Sequence, residues 1–118
     1  MKQNTTKVLD ELFKGFAPTG QSFSKAIFKK HLESVRKVFG ISEEVLFERT
    51  KKRQSTEARQ TLYLLCRRSN LKIVEVQEFL EDYNFTEHHS TIVRGIESAN
   101  KRLKKEKLYR NIVKIITI

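Results

Sequence analysis

The chain has 118 residues, room for one domain with one core, and carries 24 Lys and Arg against 14 Asp and Glu, a formal charge of +10 at pH 7. A small protein this basic favours a polyanionic partner. Its single cysteine excludes an internal disulfide and fits a reducing, cytosolic setting, and no apolar run approaches the ~18 residues of a membrane span.

The charge is clustered. Arg49, Lys51, Lys52, Arg53, Arg59, Arg67 and Arg68 fall in one stretch with only Glu57 against them, and Lys101, Arg102, Lys104, Lys105 and Lys107 form a second block with only Glu106. Between them Glu75, Glu78, Glu81, Asp82 and Glu87 face a single Lys72. Two basic blocks around an acidic element imply distinct faces.

In chain order, the hydrophobic periodicity is helical throughout, and it predicts an all-α, compact helical bundle with an extra N-terminal helix. MKQNTTKVLDELF carries acidic residues in its apolar stretch and lacks a signal-peptide core. Val8, Leu9, Leu12, Phe13 and Phe16 form an apolar stripe at helical spacing, capped by Thr5 or Thr6 and ended by Pro18 and Gly20. Residues 1–21 therefore read as an N-terminal helix and linker. A second helix is expected over Ser24–Phe39, with Phe28, Leu32, Val35 and Phe39 inward and Gly40 in the left-handed position after it. Ser42 is expected to cap a short helix with Glu43 and Glu44 in its first turn and Val45, Leu46 and Phe47 inward.

Residues 49–55 have no apolar member and read as a basic loop. A long helix is expected from Ser55 to Arg68, burying Ala58, Leu62, Leu65 and Cys66, with Ser69 and Asn70 breaking it. The next helix, over 73–83, would bury Ile73, Val76, Leu80 and Tyr83; a turn at Asn84, Phe85 and Thr86 leads to a helix over 87–105 with Ile92, Ile96, Ala99 and Leu103 inward. Residues 22–107 thus form the main domain. The apolar tail 108–118 fits a closing helix or a strand-like end equally well.

The helices over 73–83 and 87–105, joined by a short turn, fit a helix-turn-helix. The content of the second helix makes that pairing informative. With Thr86 as its cap, His88, His89, Ser90 and Thr91 lie in the first turn, where imidazoles and hydroxyls can reach base edges or phosphates and backbone N–H groups attract anions. Arg94 and Lys101 lie on the same solvent side and can follow a phosphate backbone. Arg49, Lys51, Lys52 and Arg53 would grip the neighbouring strand. The plainer alternative is that Ser90 and Thr91 merely cap a helix beside surface histidines. A metal site is disfavoured, because adjacent helical residues diverge by about 100° and no ligand-spaced partner accompanies His88 and His89. Cys66 sits in an apolar run and reads as core, not as a nucleophile; no catalytic group and no cofactor are expected.

The stretch HHSTIVRGI resembles the Asp-His-Ser/Thr-Thr-Val signature of the C-terminal DNA-binding domain, domain IV, of the bacterial replication initiator DnaA. The resemblance extends upstream through FGISEEVLFERTKKRQSTEARQTLYLL, a short helix, a basic loop and an Ala-Arg-X-type helix start, and covers roughly residues 25–105. It implies a DNA-binding helix-turn-helix fold that is also Trp-repressor-like. It further implies a loop arginine in the minor groove, matching Arg53, and a helix reading the major groove through His89, Ser90 and Thr91. The signature aspartate is His88 here and the preceding arginine is Glu87. A histidine cannot make a carboxylate's contact with cytosine N4, so the family's own recognition sequence does not carry over. No GxxxxGK[ST] phosphate loop occurs, so no nucleotide is expected. These readings converge on a non-enzymatic, cytoplasmic, nucleoid-associated binder of double-stranded DNA that regulates replication or transcription. The competing reading is a protein-interaction module or homodimer built on the N-terminal helix or the isoleucine-rich tail. Single-stranded or RNA binding is disfavoured, because aromatics are not interleaved with the basic blocks.

Overall fold

The computed structural model describes residues 20–49 and 52–117. The predicted helix over 8–16 lies outside the described residues. Among the described residues the elements are α1 (Gly20–Phe39), α2 (Glu43–Leu46), α3 (Arg53–Arg68), α4 (Ile73–Glu81), α5 (His89–Lys105) and α6 (Lys107–Thr117), with no strand. The protein is an all-α bundle.

Helix α1 starts about one turn earlier than the periodicity set it, at Gly20. Phe28, Leu32 and Val35 are buried as expected. Gly40 follows at φ 64, a left-handed position open to glycine at no steric cost. Ser42 accepts a hydrogen bond from the Val45 amide at 3.2 Å and caps α2. Leu46 points inward from that helix and is fully buried, Phe47 packs on the core edge, and Val45 remains 36% exposed. Three consecutive residues cannot share one face when each turns by about 100°, which is why the expected inward set loses Val45.

Helix α3 begins at Arg53 rather than Ser55, so Arg53 belongs to a helix and not to the basic loop. Every residue from Thr61 to Cys66 is buried, as is Ser55. A helix buried around its whole circumference is a central element, and α1, α2, α4 and α5 all pack on α3. Its buried polar groups are satisfied: the Thr61 hydroxyl donates to the Glu57 carbonyl at 2.7 Å and therefore accepts from the Tyr109 hydroxyl at 2.6 Å. Burial pushes the Cys66 thiol up to about 12, which keeps it protonated at neutral pH. Asn70, at φ 66, ends this region.

Helix α4 stops at Glu81, two residues short of the expected Tyr83, and residues 82–88 form a turn longer than Asn84–Thr86 alone. Asn84 takes the left-handed conformation at φ 58, and Phe85, 2% exposed, plugs the turn into the core. Residues 107–117 are helical; α6 buries Tyr109 and Val113 against Leu64 and Ala99.

Helices α3 and α5 run antiparallel. Glu57 meets Arg102 at 3.5 Å at one end, while Tyr63 lies beside Gly95 further along. A Cβ on Gly95 would stand 3.2 Å from Tyr63 Cδ2 and 3.3 Å from Gln60 Cγ. Gly95→Leu gains roughly 0.8 kcal/mol of helix propensity. Wedging four carbons into this contact costs more, so we expect a net loss of about 1–2 kcal/mol. A fall in the urea midpoint at unchanged m-value checks this; an unshifted midpoint would contradict the close approach.

Candidate nucleic-acid interface

The inward stripe Ile92, Gly95 and Ala99 turns the opposite face of α5 to solvent. His89, Ser90, Thr91, Arg94 and Lys101 are all exposed, and so is His88. The cap of α5 is His88, not Thr86, with extended backbone at φ −77, ψ 148 and no side-chain cap bond. The expected first turn therefore moves by two residues: His89, Ser90 and Thr91 remain in it, and Glu87 and His88 precede it. With no cap bond from the His88 side chain, the N–H groups of His89 and Ser90 are left to solvent or to a ligand, while that of Thr91 bonds to the His88 carbonyl.

The turn before α5 is held from several sides. Gln77 Nε2, from α4, donates to the Glu87 carbonyl at 2.9 Å. The Glu87 carboxylate, its side chain 10% exposed, lies 3.5 Å from Arg49 Nη1 and 3.4 Å from the Tyr63 hydroxyl. Burial, then the charge on Glu87, pushes the Tyr63 phenol above its usual range. Arg49 also donates to the Thr86 carbonyl, and its guanidinium sits 4.1 Å from the Phe85 ring centre.

Arg59 reaches the same ring from α3, at 5.3 Å. Its Nη1 donates to the Leu46 carbonyl at 2.7 Å and the Glu48 carbonyl at 3.0 Å, satisfying acceptors left open at the end of α2. Burial draws its pKa down, partly offset by Tyr63 and Glu87. From sequence, Arg59 counts only as one cation of the first basic block, and Glu87 as one carboxylate of the acidic element and a departure from the motif. The one available signal was Phe85, an apolar residue inside a polar turn.

The four loop cations separate. Arg49 reaches the turn before α5. Lys51 lies outside the described residues. Lys52 is exposed and forms the N-terminal boundary of α3. Arg53 points to the other end of α5: its Nε meets Glu57 at 2.7 Å and its Nη2 meets Glu106 at 3.6 Å. That hydrogen bond and the charges on Glu57 and Glu106 hold it firmly protonated. Glu106 follows the last residue of α5, so at ~1.5 Å per residue Arg53 works about 25 Å from His89. The expectation that Arg53 flanks the His89 tip is thereby corrected; the loop cation beside that tip is Arg49.

Beside Thr91 and Arg94, a groove of about 180 Å³ opens between α3 and α5, lined also by Thr56, Arg59, Tyr63 and Glu87. Two guanidinium groups and the hydroxyls of Thr56, Tyr63 and Thr91, beside the Glu87 carboxylate, make it suited to hydrogen-bonding a polar group. Among the described residues no cluster of His, Cys, Asp and Glu could hold a metal ion, and no helix is long and apolar enough to cross a membrane. No protein-family model matches the chain, and no solved structure matches it.

Arg59→Ala should destabilise the protein by roughly 1.5–3 kcal/mol, because two charge-assisted bonds to backbone carbonyls are lost. Arg59→Lys should recover little, since a point-charge ammonium cannot reproduce the guanidinium fork. Denaturant melts of both variants check this; full recovery by lysine would show that only the charge matters.

Proposed function

We propose that the protein is a sequence-specific double-stranded DNA-binding module of the DnaA domain IV kind that its 88–96 segment resembles. On this reading it regulates replication or transcription in the cytoplasm, at the nucleoid, with no nucleotide or ATPase chemistry. The observation that carries the proposal is the exposed polar tip of α5, His88 to Thr91, with Arg49 tied to the turn before it and exposed Arg94 one turn further along the helix. In this mechanism α4 and α5 act as the helix-turn-helix. His88, His89, Ser90 and Thr91 read or position on the major groove, through ring nitrogens, hydroxyls and the open N–H groups. Arg94, one turn further, neutralises phosphate, and Lys101 continues the same outward face.

Arg53 has a different place in this mechanism from the one the resemblance implies. With ~3.4 Å per base pair, the roughly 25 Å from His89 to Glu106 corresponds to about seven base pairs. A duplex touching both ends of α5 must therefore lie along that helix, and Arg53 must exchange Glu57 and Glu106 for phosphate.

Fluorescence anisotropy against a duplex selected from a random pool tests the reading. His89→Ala and Thr91→Ala should each weaken specific binding by about 1–3 kcal/mol, and Arg94→Ala should weaken specific and random duplexes alike and lower the salt slope by about 1. Binding without sequence preference, or with no salt dependence, would reject specific readout.

A second reading has its own observation. Leu108 and Ile115 are 73% and 60% exposed and recur at i and i+7 on one face of α6, with Ile112 between them. Such a stripe fits a protein partner or a second copy of the chain. If the chain self-associates through it, wild type should scatter light as a dimer, and the Leu108→Glu/Ile115→Glu double variant as a monomer. Equal masses for the two would remove α6 as a self-association face.

A further inference from the structure

We infer that Arg49 is a positioning residue for the tip of α5, and not one of the cations that neutralise phosphate. The inference rests on the DNA-binding reading for its functional meaning, but the tie itself stands on the geometry of the free protein.

Three contacts converge on this one side chain. Its Nη2 donates to the Thr86 carbonyl, its Nη1 lies 3.5 Å from the Glu87 carboxylate, and its planar face covers Phe85 at 4.1 Å. These partners are consecutive residues, and together they make up the strand of backbone that leads to the His88 cap. Phe85 cannot drift, because it is 2% exposed and packs against Phe47 at 5.5 Å. Glu87 is nearly buried, and removing a cation from a buried carboxylate leaves it uncompensated. Arg49 therefore has more to lose than a solvated cation by swinging out to a phosphate. Holding residues 85–87 in place fixes where His88 begins the helix, and so the direction in which His89, Ser90 and Thr91 project.

A guanidinium is required for this arrangement. Its fork serves a carbonyl and a carboxylate at once while its face stacks on a ring; an ammonium supplies a charge but neither the fork nor the plane. A phosphate contact, by contrast, tolerates lysine, which binds phosphate well as a point charge. The two roles thus predict opposite behaviour of Arg49→Lys.

The experiment uses the full chain with Arg49→Ala and Arg49→Lys. In the free protein, amide hydrogen exchange is followed at Phe85, Thr91 and Ile92, whose N–H groups bond to the Leu80 carbonyl at 3.1 Å and to the His88 carbonyl at 3.1 and 3.2 Å. Both variants should exchange several-fold faster at these positions. With the selected duplex, both should lose about tenfold in affinity, the size of one charge-assisted hydrogen bond, with the salt slope unchanged. Unaltered exchange would overturn the tie. Wild-type affinity in Arg49→Lys, or a slope lowered by about 0.9 in Arg49→Ala, would identify a phosphate contact instead. If the wild-type chain binds no duplex at all, the DNA reading fails and takes the positioning role with it, whereas the exchange result still decides the tie.

Discussion

The missing side chain of Gly95 sets the distance between α3 and α5, and the rest of the surface follows from that distance. Tyr63 and Gln60 fill the space a Cβ would need. The two helices can then lie flush, with Ile92 and Ala99 fully buried on either side of the contact. Helical periodicity does the remainder: once one stripe of α5 faces α3, Ser90, Arg94 and Lys101 must face away. The same Tyr63 ring carries a hydroxyl that reaches Glu87, so the helix contact and the turn before α5 are mechanically one unit.

That turn shows how basic residues can serve the interior. It contains no glycine; Asn84 supplies the left-handed residue and Phe85 the anchor. Two guanidinium groups lie over Phe85, each cation–π contact contributing on the order of 0.5–1 kcal/mol when partly exposed. Arg53, at the opposite end of α5, is engaged with Glu57 and Glu106. The clustered positive charge is thus divided: some of it holds the fold, and Arg94 and Lys101 lie on the outward face of α5.

Most of the helical architecture was legible because it depends on local pattern. Phe28, Leu32 and Val35, or Ala58, Leu62, Leu65 and Cys66, recur at helical spacing and are buried where that spacing puts them. Gly40 and Ser42 act as turn and cap because left-handed backbone and N-cap bonding are local requirements. Long-range geometry was not legible. Nothing in the run Arg49 to Arg53 distinguishes the residue that reaches Glu87 from the one that reaches Glu106, since that depends on where α3 begins and how it crosses α5. The His88 cap was missed because Thr86 is the stronger intrinsic cap, yet its carbonyl is held by Arg49 and Phe85 is drawn into the core. The tail at 108–118 was ambiguous because β-branched residues fit either state; burial of Tyr109 and Val113 decides for helix.

The central claim is that the uncapped start of α5 meets a DNA groove. Amide chemical-shift mapping during titration with a short duplex drawn from a random-pool selection tests it most directly. The account predicts that the largest shifts fall at His88 to Arg94, with smaller ones at Lys52 and Lys101. Shifts confined to other surfaces, such as α1 or α6, with His88 to Arg94 unmoved, would contradict it.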